Sequence, residues 1–330
     1  MSATDSRPEL LLTGPMMPMI EAQLTERFTV HRLDGTDPEA VLAQAGPRIR
    51  AVATGVGSTA GGKRRVTGDL LARLPKVEIV ANFGVGYDAV DTDAAAERGI
   101  VVTNTPGVLD DEVADLSVAL LLATIRRLPQ AERHLRAGLW PKGGFPLTPT
   151  LRDRTIGIVG MGRIGRAIAR RLEGFGRPIV YHSRRPVADV PYRHYPSLVE
   201  MARDADALIV IVPGGPETNN MINAEVLAAL GPTGTLINVA RGSVVDEPAL
   251  IKALTEGTIA SAGLDVFADE PNVPEALIAM DNVVLLPHVA SATHVTRNAM
   301  GQLVVDNLAA WFEGRPPLTP VPETPVPARV

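Results

Sequence analysis

Short runs rich in Val and Ile, bounded by Gly or Pro, alternate along this chain with stretches of helical apolar spacing. A strand apolar on both faces must be covered on both, and helices between successive strands supply that cover. The pattern therefore predicts parallel βαβ units rather than hairpins. A first series places strands at 50–54, 77–82 and 100–103, with helices at 66–74 and 91–98. A second places strands at 155–159, 178–182, 207–212, 235–239, 260–265 and 283–287, with helices at 163–174, 196–204, 223–230 and 247–256 between them. Six strands make one full doubly wound sheet, and the first series makes a smaller sheet of similar style. Two further helices are read at 111–127 and 292–313; the latter carries Val304, Leu308 and Trp311 on one stripe and stops at Gly314 and Pro316. Such helices can cross between domains, and 330 residues suit two of them. The expected division is discontinuous: 1–104 with 289–330, and 105–288 inserted between. Residues 1–8 read as a frayed end, and 316–330, with Pro at 316, 317, 320, 322, 325 and 327, as an extended arm.

Composition narrows the partners. Lys plus Arg is 32 against 37 for Asp plus Glu, a net charge of −5 that argues against binding nucleic acid through its phosphates. The absence of Cys excludes disulfides, thiolate nucleophiles and Cys-ligated metals. No apolar run approaches the ~20 residues of a membrane helix, and MSATDSRPEL lacks a basic segment followed by an apolar one. A cytoplasmic protein with no membrane partner is expected.

Gly160-Met161-Gly162-Arg163-Ile164-Gly165 fits G-x-G-x-x-G. A Gly-rich turn alone is weak evidence. Here it follows the strand Thr155–Val159 and opens a helix with Ile164, Ile168 and Leu172 on its apolar face, the context of a dinucleotide-binding loop. Gly160 permits the tight turn, Gly162 lets backbone approach a pyrophosphate, and Gly165 lets helix and strand pack closely. Helix N–H groups then face the anion. NAD enzymes usually carry Asp or Glu about 20 residues further on, bonded to the ribose. At that place stand Ser183, Arg184 and Arg185. A hydroxyl and two guanidinium groups suit a 2′-phosphate, so NADP(H) is preferred and NAD(H) remains the alternative; a merely solvated Arg pair is the plainer reading.

Three polar residues follow successive predicted strands: Arg241 after Leu236–Ala240, Glu270 after Gly263–Phe267, and His288 after Val283–Pro287. Ligands of open parallel sheets bind outside the carboxyl ends of the strands. Hydride reduction of a ketone leaves an alkoxide that needs a proton, and His is the natural donor. A Glu bonded to the other ring nitrogen would orient the imidazole. Arg can hold a carboxylate in bidentate fashion and polarise the adjacent carbonyl. Each residue alone would be unremarkable; three at successive strand ends, downstream of a dinucleotide loop, define a site.

At these residues the sequence resembles the D-isomer-specific 2-hydroxyacid dehydrogenase family, over about residues 45–315. The shared markers are Asn82-Phe83-Gly84-Val85-Gly86-Tyr87-Asp88, Asn104-Thr105-Pro106, Val113-Ala114-Asp115 and the Gly160–Gly165 loop. They continue with Asn238-Val239-Ala240-Arg241-Gly242, Val245-Asp246-Glu247 with Ala249-Leu250, Gly263–Phe267 with Glu270-Pro271, and Pro287-His288. The resemblance implies two Rossmann-like or flavodoxin-like α/β domains, with 105–288 binding the dinucleotide and the active site in the cleft between them. It implies Arg241, Glu270 and His288 as the catalytic triad, His288 giving the proton. It further implies that the amides of Val85 and Gly86 hold the substrate carboxylate, a ready anion nest, with Val56 and Gly57 lining the same mouth. Asp265 matches the residue beside the nicotinamide, and Val212, Pro213, Thr218, Val239 and Ala240 match cofactor-lining positions. A homodimer is implied through the helix at 111–127 and the arm after it. Leu139-Trp140, Gly144-Phe145, Leu147-Thr148 and Ser183-Arg184-Arg185 look most like the NADPH-dependent glyoxylate/hydroxypyruvate and hydroxyphenylpyruvate reductases. There Trp140 would reach the partner subunit's pocket, or serve only as an interface anchor. Ala290 departs from the Gly that many relatives have, and would narrow the pocket slightly.

The expected reaction is therefore NADPH-dependent reduction of a small 2-oxo acid, glyoxylate or hydroxypyruvate, to the D-2-hydroxy acid. An aryl pyruvate is the alternative substrate. A dinucleotide-sensing binding protein is the alternative of another class. Formate-type oxidation fits poorly, because those enzymes pair the His with Gln where this chain has Glu270.

Overall fold

In chain order the first elements are β1 (Glu9–Leu12), α1 (Pro18–Arg27), β2 (Thr29–Arg32), α2 (Pro38–Ala45), β3 (Ile49–Ala53), α3 (Gly68–Ala72), β4 (Ile79–Ala81), α4 (Thr92–Glu97) and β5 (Val101–Thr103). There follow α5 (Asp110–Ile125), α6 (Leu128–Arg136), β6 (Ile156–Val159), α7 (Arg163–Glu173), β7 (Ile179–His182), β8 (Arg193–Tyr195), α8 (Leu198–Asp204) and β9 (Ala207–Val210). The last are α9 (Ala224–Leu230), β10 (Thr235–Asn238), α10 (Glu247–Thr255), β11 (Ser261–Leu264), α11 (Glu275–Ala279), β12 (Val283–Leu285) and α12 (His294–Phe312). The computed structural model describes residues 7–35, 37–57, 65–324 and 326. The chain divides into two units, 1–109 with 293–330, and 110–292. The α/β class with two parallel sheets, expected from the alternation, is what the chain adopts.

In the first unit five parallel strands lie in the order β2-β1-β3-β4-β5. The order reverses between β1 and β3, so the loops after those strands open at a switch point. Leu11, Val52, Val80 and Val102 fill one side of this sheet together with Leu71 and Leu74. The unit is discontinuous because α12 packs on α1. Gly301 makes that approach close, since a Cβ there would lie 2.5 Å from Ile20 Cγ1. Phe28 and Phe312 meet edge to face at 5.5 Å, and Trp311 Nε1 donates to Glu78 at 3.0 Å.

Only three of these five strands are read from the sequence. β1 (ELLL) lacks β-branched residues, and β2 (TVHR) is a polar edge strand with every residue half-buried. Of the expected extended arm, residues 325 and 327–330 lie outside the described residues, and the part up to Thr324 is docked. Val321 N donates to Val102 O at 2.9 Å, Val102 N donates to Thr324 Oγ1 at 2.8 Å, and Pro320 bridges Thr103. These bonds occupy the edge of β5, and Val321 and Thr324 are buried. Of the expected frayed start, residues 1–6 lie outside the described residues, while Pro8 O already accepts from Thr29 N.

The second unit holds seven parallel strands in the order β12-β11-β10-β9-β6-β7-β8. Sequence reading finds six; β8 (RHY) is a short polar edge strand without an apolar signature. The order reverses between β6 and β9, which puts this unit's crevice beyond the ends of those two strands. The apolar helix read at 111–127 ends at Ile125; Arg127 turns left-handed at φ 51° and α6 restarts at Leu128. No helix among the described residues is long and apolar enough to cross a membrane.

Candidate active site

Gly160 stands directly after β6, at the switch point. Its φ of 105° suits glycine, and a Cβ there would lie 2.6 Å from Ile211 O. A Cβ on Gly165 would fall on the Gly160 carbonyl oxygen, so α7 can start this close to β6 only with glycine there. Gly162 is the N-cap of α7 and contributes no side-chain cap, and the space beside its Cα is open. The first-turn amides of an 11-residue helix therefore point into an open cradle, the donor set a pyrophosphate needs. A dinucleotide fits this loop. Met161 is buried and Ile164 packs into the core, so of these two only the backbone is available to it. The Arg163 guanidinium is held by Asp110 at 3.1 Å.

The turn after β7 carries Ser183, Arg184 and Arg185. Ser183 Oγ donates to Arg185 O at 2.6 Å, which closes the turn and leaves both guanidinium groups exposed. Arg184 Nη1 reaches Glu217 Oε2 at 2.9 Å. In the loop after β9, Thr218 Oγ1 donates to Pro213 O at 2.7 Å and Gly215 O at 3.2 Å, so its hydroxyl shapes the loop that Val212 and Pro213 begin. Val239 and Ala240 are buried at the end of β10.

Arg241, Glu270 and His288 follow β10, β11 and β12, three adjacent strands, so their turns lie side by side along one edge of the sheet. His288 Nδ1 is 2.8 Å from Glu270 Oε2, and Glu270 Oε1 accepts from Phe267 N at 3.2 Å. His288 has a left-handed backbone, φ 54°, uncommon for a residue with a side chain. Asp265 holds it there. Asp265 O accepts from His288 N at 2.9 Å, while its carboxylate accepts from Val289 N at 2.7 Å and Ala290 N at 2.9 Å. Asp265 is fully buried. Burial pushes its carboxyl pKa up against the pull of those two amides and of His288, and Glu270 pushes the same way as burial. Asp265 is thus the strut of the turn that carries His288. Asn238 does the same for Arg241: its Oδ1 accepts from Ala240 N and its Nδ2 donates to Arg241 O, each at 3.0 Å. Arg241 Nη1 donates to Ala240 O at 2.8 Å.

Val56, Gly57, Val85 and Gly86 belong to the first unit, on the loops after β3 and β4. Asn82 Nδ2 donates to the carbonyls of Gly84 and Gly86, 3.1 Å each, and Asn104 Nδ2 donates to Val85 O at 2.9 Å. Three successive carbonyls are thereby gripped on one side. The amides of Val85 and Gly86 donate to no acceptor among the described residues, the condition for an anion nest. Thr54 locks the grip, donating to Asn82 Oδ1 at 3.1 Å and accepting from Phe83 N at 2.7 Å. Gly57 has φ 81°, and Val56 N donates to Pro15 O at 2.8 Å. Trp140, on the segment after α6, is 66% exposed. Residue-type reasoning missed the bracing by Asn82, Asn104 and Asn238 and the pairing of Glu217 with Arg184. Asn just past or at a strand end was the available signal for the first three, since its amide bonds nearby backbone in turns.

The second unit matches the model of the D-isomer-specific 2-hydroxyacid dehydrogenase NAD-binding domain over residues 118–290. The chain belongs to that family. It is 46% identical to glyoxylate/hydroxypyruvate reductase A of Arabidopsis thaliana, over 94% of this chain and 98% of that one. It is 48% identical to the hydroxyphenylpyruvate reductase of Plectranthus scutellarioides, over the same 94% and 98%. Among solved structures, it resembles the NADPH-dependent glyoxylate/hydroxypyruvate reductase of Sinorhizobium meliloti in complex with NADP and malonate. That match has a TM-score of 0.92 and 54% identity, covering 98% of this chain and all of the other.

Proposed function

We propose that this chain reduces small 2-oxo acids, glyoxylate and hydroxypyruvate, to D-2-hydroxy acids with NADPH. The observation that carries the reading is the His288–Glu270 pair at 2.8 Å on the strand-end edge of a sheet that also bears an open dinucleotide cradle. The bound nicotinamide supplies the hydride. Glu270 occupies Nδ1 and so fixes the ring's tautomer and direction, leaving Nε2 to give its proton to the oxygen that becomes the alcohol. Arg241 polarises the carbonyl and pairs with the substrate carboxylate. In the first unit, the amides of Val85 and Gly86 offer a nest for a carboxylate. Arg184 and Arg185 hold the 2′-phosphate of NADPH.

An aryl pyruvate is the second reading, favoured by the likeness to the Plectranthus enzyme. A homodimer is part of the proposal. Leu128, Leu135, Leu139, Trp140 and Leu147 are exposed along one stretch of the second unit, an apolar surface that a second copy would cover.

Oxidation of NADPH and of NADH, followed by absorbance with glyoxylate, hydroxypyruvate and hydroxyphenylpyruvate in turn, tests the reading. Turnover of the first two, faster with NADPH, supports it. Turnover confined to hydroxyphenylpyruvate transfers it to the aryl substrate, and none with any 2-oxo acid overturns it.

A further inference from the structure

The Arg184–Glu217 pair lies across the dinucleotide crevice. Arg184 follows β7 and Glu217 lies in the loop after β9, and between those two strands stands β6 with Gly160 at its end. Neighbouring strands are about 4.8 Å apart, so the pair bridges roughly 10 Å of the sheet edge where the adenosine ribose of a dinucleotide lies. Both side chains are exposed, 87% for Arg184 and 75% for Glu217. Such a pair is weakly held and can be exchanged.

From this placement we propose that Glu217 is a cofactor-discriminating residue. It supplies, from the β9 loop, the carboxylate that the end of β7 lacks. With NADH, the Glu217 carboxylate accepts the ribose 2′-hydroxyl, as an acid at the end of the second strand does in other dinucleotide folds. With NADPH, the 2′-phosphate takes the place of Glu217 on Arg184, and the displaced carboxylate repels the incoming dianion. The loop is built to deliver this side chain: Thr218 Oγ1 ties the segment back to Pro213 O and Gly215 O, which fixes the residue before it. Glu217 therefore weakens NADPH binding and supports NADH binding, holding the preference set by Arg184 and Arg185 below its limit. The inference rests on the 2′-phosphate reading of those two arginines.

Calorimetric titration of the cofactor-free enzyme with 2′-phospho-ADP-ribose and with ADP-ribose tests it without turnover. Four proteins are compared: wild type, Glu217→Gln, Arg184→Gln and Arg185→Gln. In Glu217→Gln the ratio of affinities, phosphorylated over unphosphorylated ligand, rises about three- to ten-fold, the range of one exchanged ion pair and one lost charge-assisted bond. The ratio of kcat/KM for NADPH over NADH rises with it. An unchanged or lowered ratio in Glu217→Gln, with Arg184→Gln or Arg185→Gln still lowering it, overturns the role of Glu217 alone. A ratio indifferent to both arginines overturns the 2′-phosphate reading and this inference together.

Discussion

Asp265→Asn isolates the strut of the turn that carries His288. The wild-type carboxylate accepts two amides, from Val289 at 2.7 Å and Ala290 at 2.9 Å, in a fully buried position. Asparagine matches the shape but can accept from only one of them; its NH2 then faces the other N–H. Weakening one charge-assisted bond to a neutral one costs about 1 kcal/mol, and leaving a buried donor unsatisfied costs about 1–3 kcal/mol. Removing a buried charge offsets part of this, since burial pushes the Asp265 pKa up. A net loss of about 1–3 kcal/mol remains. In a unit of this size each kcal/mol lowers Tm by about 2–4 °C, so a fall of roughly 2–12 °C is expected by calorimetry. Activity falls further than stability. His288 N donates to Asp265 O and holds its left-handed φ of 54° only while this turn is braced. A displacement of about 1 Å at the proton donor costs about 100-fold in rate. kcat should drop by about 10- to 100-fold, with the affinity for NADPH nearly unchanged. Wild-type Tm and kcat in Asp265→Asn would refute the strut.

Asn82→Ala removes the donor that grips the Gly84 and Gly86 carbonyls, so KM for glyoxylate should rise about ten-fold or more while the dissociation constant for NADPH, measured by fluorescence, stays put. A Cβ at Gly242 would fall on the Phe267 carbonyl, so Gly242→Ala should displace the segment leading to Glu270 and lower Tm and kcat together. Burial and the Glu323 carboxylate push the Tyr87 phenol up to about 12, and its hydroxyl donates to Glu323 at 3.0 Å. A pKa raised above an unfolded value of about 10 gives stability that is intact below pH 10 and lost as pH rises through about 12. Tm measured against pH should therefore fall more steeply over that interval in wild type than in Tyr87→Phe.

What the sequence made legible follows what its residues advertise. β6 with Gly160–Gly165 declared itself because a tight turn, a phosphate cradle and a close helix contact each require glycine at a set spacing. The buried strand β9 showed as an unbroken apolar run. β1, β2 and β8 did not, because strand position comes there from pairing with a neighbour rather than from an apolar signature. Arg241, Glu270 and His288 were legible as polar residues beyond strand ends. The bracing by Asp265 and Asn238 was not, since two backbone amides accepted by one carboxylate arise only once the turns exist. The Arg184–Glu217 pair was hidden too, because it joins loops 33 positions apart across an intervening strand.

A single-turnover experiment bears most directly on the role proposed for His288 as proton donor. Enzyme premixed with NADPH is flashed against glyoxylate in a stopped-flow cell, for wild type and for His288→Gln. NADPH binding should be equal in the two proteins, and the wild type should oxidise its bound cofactor in one fast phase. His288→Gln should slow that phase by about 10²–10⁴-fold, the share a positioned acid contributes. An undiminished phase in His288→Gln would contradict the account.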